Sequence, residues 1–252
     1  MPAMHERPVA VITGGAGGIG SCISKTLADA GMSVVVGYHR SAEAAGKLAA
    51  ALPGTGHSAQ HAPVTDSAAL TAAAAAVGER YGRCDALVNC AGTTRFVPHA
   101  DLEGLEDALI DEILATNVRG AFAAVRAFRP LLEKSTIAGG GVVVNLSSAA
   151  GTIAVGSNVI YCASKAALDN MTKSLARALA PRIRVVSVSP ALVDTEFVKS
   201  LDQAWRDRQA AGTPLGRLAT PEEVATTVRA VITTLTFTTG AIVTVDGGRP
   251  LL

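Results

Sequence analysis

Residues 9–20 read VAVITGGAGGIG, and this stretch decides which fold the chain is expected to adopt. The run Val9–Thr13 is apolar and β-branched, as in a buried strand, and helical periodicity begins at Ile19. Glycines between a strand and a helix allow positive φ angles and let a pyrophosphate lie against the N-terminus of the helix. The segment therefore predicts a strand-turn-helix unit that binds a dinucleotide, rather than a plain flexible turn.

The glycine turn fits two fingerprints, G-x-G-x-x-G and T-G-x-x-x-G-x-G. The first runs through Gly15, Gly17 and Gly20, and the second through Thr13, Gly14, Gly18 and Gly20. Both need the same setting, with a strand before the turn and a helix after it, so both stay open at this point.

The remaining chain alternates short β-branched runs with longer alanine-rich stretches. Strands are predicted at Val9–Thr13, 33–37, 57–61, Ala86–Asn89, Gly141–Leu146, 183–188 and Ile242–Val245, and helices at 19–30, 42–52, 66–81, 105–132, 158–179 and Pro221–Thr233. This order predicts an α/β fold: a single doubly wound parallel sheet of about seven strands with helices on both faces, of the Rossmann type. We expect one domain over residues 1–252, with the irregular stretch 191–216 as a substrate lid.

The composition excludes several classes of protein. The chain has 252 residues, 49% of them apolar, and a net charge of +1, with no basic block for nucleic acid or anionic membranes. It has no apolar run of the roughly 18 residues that span a membrane and no signal peptide, so a cytoplasmic protein without nucleic acid or membrane partners is expected. The four cysteines form no CxxC pair, which predicts reduced packing residues and no metal site.

The end of the second strand, in VVVGYHRS at 34–41, indicates which cofactor binds. Folds that bind NAD place Asp or Glu here for the ribose hydroxyl, whereas this chain has His39 and Arg40, and its first acid is Glu43. A guanidinium can pair with a 2′-phosphate and His39 can assist, so NADP(H) is favoured and NAD stays possible. The alternative is that Arg40 is a solvated residue at the start of a helix.

Tyr161 and Lys165, in YCASK, are four residues apart, so a helix would put both side chains on one face. A phenol has an ordinary pKa of about 10, and a nearby ammonium would lower that pKa. The spacing by itself would favour an ordinary surface pair. Together with the glycine turn, it favours an acid that transfers protons.

With these motifs in view, the chain resembles the short-chain dehydrogenase/reductase family, and within it the 3-oxoacyl-[acyl-carrier-protein] reductase type. The resemblance covers nearly the whole chain, and its motifs occur in the family's order. They are TGGAGGIG at 13–20, NCAG at 89–92, Asn117 in NVRG, NLSSAAG at 145–151, YCASK at 161–165, SPALVDT at 189–195 and TGAIVTVDGG at 239–248.

The resemblance implies a set of site residues. The catalytic tetrad carries over as Asn117, Ser148, Tyr161 and Lys165, and Ser148 is preferred to Ser147 because the family's serine lies 13 residues before the tyrosine. The implied cofactor-binding residues are Gly14, Ala16, Gly18, Ile19, Gly20, His39, Arg40, Val64, Asn89, Ala91, Gly92, Tyr161, Lys165, Pro190, Val193 and Thr195.

The resemblance also implies an activity, namely an NADP(H)-dependent oxidoreductase that interconverts a ketone and a secondary alcohol, with a 3-oxoacyl thioester as a candidate substrate. Tyr161 would be the general acid/base tuned by Lys165, Ser148 would hold the substrate oxygen, and Asn117 would support a water next to Lys165. An NAD-dependent secondary-alcohol, sugar or steroid dehydrogenase is the alternative. A non-catalytic dinucleotide sensor would show a broken tetrad, and this tetrad is intact. A homotetramer is the implied assembly.

Three positions depart from the family pattern. Pro63 precedes Val64 where the family has Asp-Val, so Val64 is left to offer backbone contacts to the adenine. Cys90 replaces an asparagine and Ala191 a glycine. The candidate substrate-pocket residues, by position, are Thr93, Arg95, Phe96, Ala154, Val155, Leu192, Phe197 and Trp205.

Overall fold

The structure, a computed structural model, describes residues 7–251 apart from the side chain of Phe197. Its strands are β1 (Val9–Thr13), β2 (Ser33–Tyr38), β3 (Ser58–His61), β4 (Ala86–Asn89), β5 (Gly141–Leu146), β6 (Ile183–Pro190) and β7 (Ile242–Val245). Within the described residues these seven strands form one parallel sheet in the order β3-β2-β1-β4-β5-β6-β7. The predicted doubly wound parallel sheet is confirmed.

Helices cover both faces of this sheet. They are α1 (Gly18–Asp29), α2 (Ala42–Ala51), α3 (Ser67–Tyr81), α4 (Asp107–Leu114), α5 (Ala121–Leu132), α6 (Ala150–Ile153), α7 (Val159–Leu179), α8 (Glu196–Lys199), α9 (Gln203–Ala211) and α10 (Pro221–Thr233). One core lies beneath α1, α2 and α10, and the other beneath α3, α5 and α7. None of the helices between residues 7 and 251 is long and apolar enough to cross a membrane.

The central strand β1 supplies side chains to both cores. Ala10 and Ile12 point toward α1 and α10, whereas Val9 and Val11 point toward α3 and α5, and all four are almost completely buried. A strand covered on both faces has no solvent side, which is why its sequence is apolar throughout and does not alternate. Full burial of a valine or isoleucine stabilises the fold by about 1.5–3 kcal/mol, so β1 anchors both layers.

The strand order changes direction between β1 and β4, and this change positions the candidate site. In such sheets the connections leave toward opposite sides at that point and open a crevice at the carboxyl ends of the strands. The glycine turn follows β1, and the NCAG motif follows β4. Both motifs therefore meet at the mouth of the same crevice.

The helix predicted over 105–132 differs from the structure in two ways. It begins at Asp107, and a π-helical turn, Ala115–Gly120, separates α4 from α5. A Cβ on Gly120 would lie 2.9 Å from the side chain of Val64, so the glycine allows this close packing. Apolar periodicity does not distinguish a π turn from an α turn, which is why the sequence predicted one continuous helix.

The stretch 191–216 is less irregular than predicted, because it contains α8 and α9. Asp202 caps α9 by accepting a hydrogen bond from the backbone N–H of Trp205 at 2.8 Å. An aspartate before a helical run is a recognisable cap. The prediction missed it because α9 is highly polar and has no apolar stripe. The short helix α6 was missed as well, since its four residues carry no periodic signal.

Candidate active site

The glycine turn is held tightly against the loop after β4. Thr13 Oγ1 accepts hydrogen bonds from the backbone N–H groups of Cys90 and Ala91, each at 3.2 Å. Gly14 has φ +64°, and a Cβ there would lie 3.1 Å from the Ala91 backbone, while a Cβ on Gly20 would collide with the carbonyl oxygen of Gly14. Side chains at either glycine would push the turn apart, so both are needed for this geometry.

The N-terminus of α1 is open to a ligand. Gly17 is the N-cap and offers no capping side chain, and Gly17 and Gly18 are both exposed. The first N–H groups of a helix need acceptors and carry a partial positive charge, so they suit a phosphate. Thr195 stands opposite, within 3.6 Å of where a Cβ on Gly18 would be. This cradle fits the pyrophosphate of a dinucleotide.

Arg40 and His39 follow β2 and are both exposed. The end of β2 is tied to the glycine turn, because the Gly15 N–H donates to the Gly37 carbonyl at 2.9 Å. The first acid after the strand, Glu43, forms an ion pair with Lys47 on the surface of α2. Arg40 is therefore the first arginine or acidic residue along the chain after β2. The glycine turn at the start of α1 lies beside this end of β2.

Tyr161 lies in the first turn of α7, next to Ser148. The N-cap is Asn158, whose Oδ1 accepts from the Tyr161 backbone N–H at 2.6 Å and whose Nδ2 donates to the Arg95 carbonyl at 2.8 Å. Asn158 thereby ties the start of the helix to the loop after β4. The Ser148 hydroxyl interacts with the phenol of Tyr161 and lowers its pKa. Ser148, and not Ser147, shares a surface with Tyr161, since Ser147 is buried and donates to the Lys165 carbonyl at 3.3 Å.

The pKa of Tyr161 is raised above its ordinary value, which differs from the expectation that Lys165 lowers it. Burial is the larger cause, because a phenolate loses its hydration, and the Ser148 hydrogen bond opposes the shift only in part. In this structure Lys165 Nζ lies 5.6 Å from the centre of the Tyr161 ring and donates to the Leu146 carbonyl at 2.8 Å. Tyr161 is therefore a protonated phenol at neutral pH, suited to donate a proton.

Lys165 is buried, with 6% of its surface exposed. Burial lowers its pKa to about 8, opposed by interactions with Cys90 and Asp169. Burial also raises the pKa of the Cys90 thiol, to about 11. Near neutral pH the site therefore combines a neutral thiol, a neutral phenol and a lysine that loses its proton more easily than usual.

Asn117 sits in the π-helical turn with its side chain fully engaged. Its Oδ1 accepts from the Thr93 N–H at 2.8 Å, and its Nδ2 donates to the Thr93 carbonyl at 3.0 Å and to Ser164 Oγ at 3.1 Å. These bonds join the loop after β4 to α7. They make the side-chain amide a link between the two segments.

The other predicted cofactor-binding residues lie at or after the carboxyl ends of β1, β3, β4 and β6. Asn89 directs its amide into the core, donating to Asn145 Oδ1 at 2.9 Å, and Val64 is buried against Gly120. Each would meet a cofactor through its backbone. Pro190 and Val193 are buried at the end of β6 and just beyond it, and Ala16, Ile19 and Gly92 lie at or near the surface of the crevice's loops.

The rim of the crevice carries exposed apolar residues. Phe96 and Val155 are 72% and 63% exposed. The two loops that carry them are joined by the Val97 N–H, which donates to the Ser157 carbonyl at 2.8 Å. Trp205 is half-buried on α9, and the side chain of Phe197 lies outside the described residues. Sequence analysis missed Asn158, although an asparagine just before an apolar helix is a recognisable cap.

Comparisons with known proteins agree with this geometry. A family model described as enoyl-(acyl carrier protein) reductase matches residues 14–249. The chain is 40% identical to ketoacyl reductase 2 of the granaticin polyketide synthase of Streptomyces violaceoruber, over 98% of both chains. It is 38% identical to D-threitol dehydrogenase of Mycolicibacterium smegmatis, over 96% of this chain and 93% of that one. A gluconate 5-dehydrogenase from Burkholderia cenocepacia, solved with NADP and tartrate, superimposes with a TM-score of 0.88 at 27% identity, covering 97% of this chain and 96% of the other.

The fold, the crevice and these relatives define an NAD(P)-dependent oxidoreductase that acts on the CH–OH group of secondary alcohols or on the corresponding ketones. The chain belongs to the short-chain dehydrogenase/reductase family.

Proposed function

We propose that this enzyme reduces a ketone to a secondary alcohol with NADPH, and that its substrates are 3-oxoacyl thioesters. The observation that carries the proposal is the group formed by the half-buried Ser148 and Tyr161 and the buried Lys165, beside an uncapped helix N-terminus at the mouth of one crevice. A proton donor, an oxygen-binding hydroxyl and a dinucleotide cradle are the parts that ketone reduction requires.

The side chains have distinct roles in this proposal. Ser148 donates a hydrogen bond to the substrate carbonyl oxygen, and Tyr161 transfers its proton to that oxygen as negative charge develops there. The Lys165 ammonium stabilises the phenolate that remains. Asn117 holds the loop at Thr93 against α7, so that the donors keep their positions. When bound, the nicotinamide supplies the hydride.

The cofactor would lie along the carboxyl edge of the sheet. The pyrophosphate would rest on the N–H groups at the start of α1, with Gly14 and Gly20 permitting the turn. The groups proposed to line the rest of its path are Ala16, Gly18, Ile19, Val64, Asn89, Ala91, Gly92, Pro190, Val193 and Thr195.

Arg40 supports NADP(H) over NAD. Its guanidinium is exposed, and the nearest acid along the chain is already paired with Lys47. An arginine in this place can form a bidentate pair with a 2′-phosphate, and His39 can add a second donor. The gluconate 5-dehydrogenase neighbour is described in complex with NADP.

The exposed rim supports an acyl substrate. Phe96 and Val155 offer apolar surface next to the donors, which suits an acyl chain better than a polyhydroxylated sugar. The relative from the granaticin polyketide synthase is named a ketoacyl reductase. We further propose that residues 191–216 form a lid over this rim, within a single domain that assembles as a homotetramer.

A second candidate is an NAD-dependent secondary-alcohol or sugar dehydrogenase. It is favoured by the relative named D-threitol dehydrogenase and by the structural neighbour named gluconate 5-dehydrogenase. The same donors would then act in the oxidative direction, with Tyr161 accepting the alcohol proton.

The test is to measure initial rates of NADPH and NADH oxidation with a short 3-oxoacyl thioester. The proposal predicts turnover with NADPH well above that with NADH. Arg40→Asp should raise KM for NADPH about tenfold or more, because a charge-assisted contact is lost, and should not raise KM for NADH, since an acid here can bind the ribose hydroxyl. Arg80→Asp, at an exposed arginine in α3, is the matched control. No turnover with either cofactor would rule out the acyl reductase, and NAD-dependent oxidation of a polyol would establish the second candidate.

A further inference from the structure

Asp169 is a buried acid on α7 that takes no part in the proposed proton transfer or cofactor binding. It follows Lys165 by four residues, so both side chains lie on one face of the helix, and its exposure is 6%. Among residues 7–251 no group donates a hydrogen bond to its Oδ1. A buried carboxylate oxygen without such a bond is unfavourable unless a nearby positive charge or a water stabilises it.

The groups around Lys165 identify that positive charge. On its own helix, Tyr161 lies one turn before Lys165 and Asp169 one turn after it. Cys90, in the loop after β4, interacts with the Lys165 charge, and Leu146 in β5 offers its carbonyl oxygen to Nζ. The buried cation on the neighbouring strand β6, Arg184, is engaged elsewhere. Arg184 donates to carbonyl oxygens at the end of α10 and beyond, those of Val231, Ile232, Leu235 and Thr238, and to that of Gly139.

The two groups that favour the Lys165 ammonium are not equivalent near neutral pH. Both Cys90 and Asp169 oppose the effect of burial on the pKa of Lys165. However, burial raises the pKa of Cys90 to about 11, so that this residue is a neutral thiol at pH 7. The carboxylate of Asp169 is left as the negative charge that stabilises the ammonium.

We propose that Asp169 is a positioning residue, whose buried carboxylate, one helical turn from Lys165, keeps that lysine charged while touching neither substrate nor cofactor. Its effect on turnover rests on the proposed function, whereas its effect on Lys165 does not. The negative charge of Asp169 stabilises the Lys165 ammonium, and that ammonium in turn stabilises the phenolate of Tyr161.

The test is a titration of Lys165 by NMR, in protein carrying 13C at the lysine ε-carbon and free of substrate, with the signal assigned by its loss in Lys165→Met. Asp169→Asn should move the titration midpoint down by about one pH unit, the lower end of the effect of a neighbouring opposite charge. Asp169→Glu, which keeps the charge, should hold the midpoint near that of the parent protein. The alkaline limb of kcat for ketone reduction should shift in parallel.

Thr172→Val is the matched control, because it removes another buried polar group from α7 that hydrogen-bonds to Asn145 and Ser187. It should lower thermal stability and leave the midpoint where it was. An unchanged midpoint in Asp169→Asn would overturn the proposal, and so would equal shifts in Asp169→Asn and Asp169→Glu. If Asp169→Asn does not fold, the smaller neutral variant Asp169→Ser takes its place with the same criteria. The titration needs no turnover, so failure of the proposed substrate assignment would not affect its outcome.

Discussion

Tyr161 and Lys165 occupy one face of α7, with Nζ 5.6 Å from the ring centre, and each is shifted by burial in the direction of its neutral form. The phenol holds its proton more tightly than free tyrosine, and the ammonium holds its proton less tightly than free lysine. Near neutral pH the phenol is protonated and the ammonium still predominates, so the pair can act as an acid. The pKa values of Tyr161 and Lys165 therefore depend on how far the surrounding side chains exclude water.

Tyr161→Phe tests the proton donor directly. The variant keeps the ring and its packing and removes the hydroxyl, so reduction should slow by about 10²–10⁴-fold, the usual contribution of a positioned acid. Cofactor affinity, measured by fluorescence titration, should change little. Nearly full activity in this variant would contradict the assigned role. Tyr81→Phe is the control, since the Tyr81 hydroxyl bonds to Gly56 and Ser58, away from the crevice.

The pH dependence of reduction should follow Lys165. Its pKa in the folded protein is about 8 against an ordinary 10.5, so the ammonium is present below pH 8 and is lost as the pH rises through that value. We expect kcat for ketone reduction to fall across this range. If kcat instead fell only near pH 10.5, Lys165 would not control the rate. Between these two values the unfolded chain binds more protons, so this group makes the folded state relatively more stable as pH rises, and unfolding does not explain the lost rate.

At the scale of elements, short irregularities place the functional groups. The π-helical turn between α4 and α5 carries Asn117, whose side chain joins the loop at Thr93 to Ser164 on α7. The N-cap Asn158 joins the start of α7 to the loop that carries Arg95. These two asparagines set the distance between the loop after β4 and the helix that carries the proton donor. π turns are frequent at functional sites.

Helix α10 begins with a capping box whose contribution to stability can be measured. Thr220 Oγ1 accepts from the Glu223 N–H at 3.2 Å, and Glu223 Oε2 accepts from the Thr220 N–H at 2.8 Å. Thr220→Ala should lower the free energy of unfolding by about 1 kcal/mol in urea titrations, because the Glu223 N–H loses its side-chain acceptor. Thr233→Ala, at the exposed end of the same helix, should change it by less than about 0.5 kcal/mol. Equal losses in the two variants would contradict the capping argument.

At the scale of the whole molecule, the carboxyl ends of the strands carry the candidate site, and the opposite ends contribute to stability. The carboxyl edge carries the crevice, and the opposite edge is held by Asp85, which is completely buried at the start of β4. Asp85 accepts from the Val9 N–H and the Ser135 hydroxyl, each at 2.7 Å, and pairs with Arg83 at 2.9 Å. One carboxylate thus joins β1, β4 and the segment after α5.

Asp85→Ala should destabilise the fold without altering the chemistry. Removing the carboxylate takes the acceptor from the Val9 N–H and the Ser135 hydroxyl and breaks the ion pair with Arg83, so we expect a loss of about 3–5 kcal/mol in the free energy of unfolding. At temperatures where the variant is folded, kcat and KM should match the parent enzyme, since the site lies at the other edge. Glu133→Ala, in the exposed pair with Arg129, should cost less than about 1 kcal/mol. A large change in kcat for Asp85→Ala would show that the two edges are coupled.

The sequence by itself determined the parallel sheet, the glycine turn and the Tyr161–Lys165 pair, because apolar periodicity, glycine spacing and a four-residue interval are local properties of the chain. It predicted the helix over 105–132 without its π turn and the stretch 191–216 without its two helices, because short or polar elements give weak periodic signals. Only the tertiary structure decided that burial raises the pKa of Tyr161, that the Asn117 side chain is bonded to Thr93 and Ser164, and that Asp169 is buried one helical turn from Lys165. Those properties depend on which distant segments exclude water from a side chain or offer it a partner, and this is set by packing rather than by spacing along the chain.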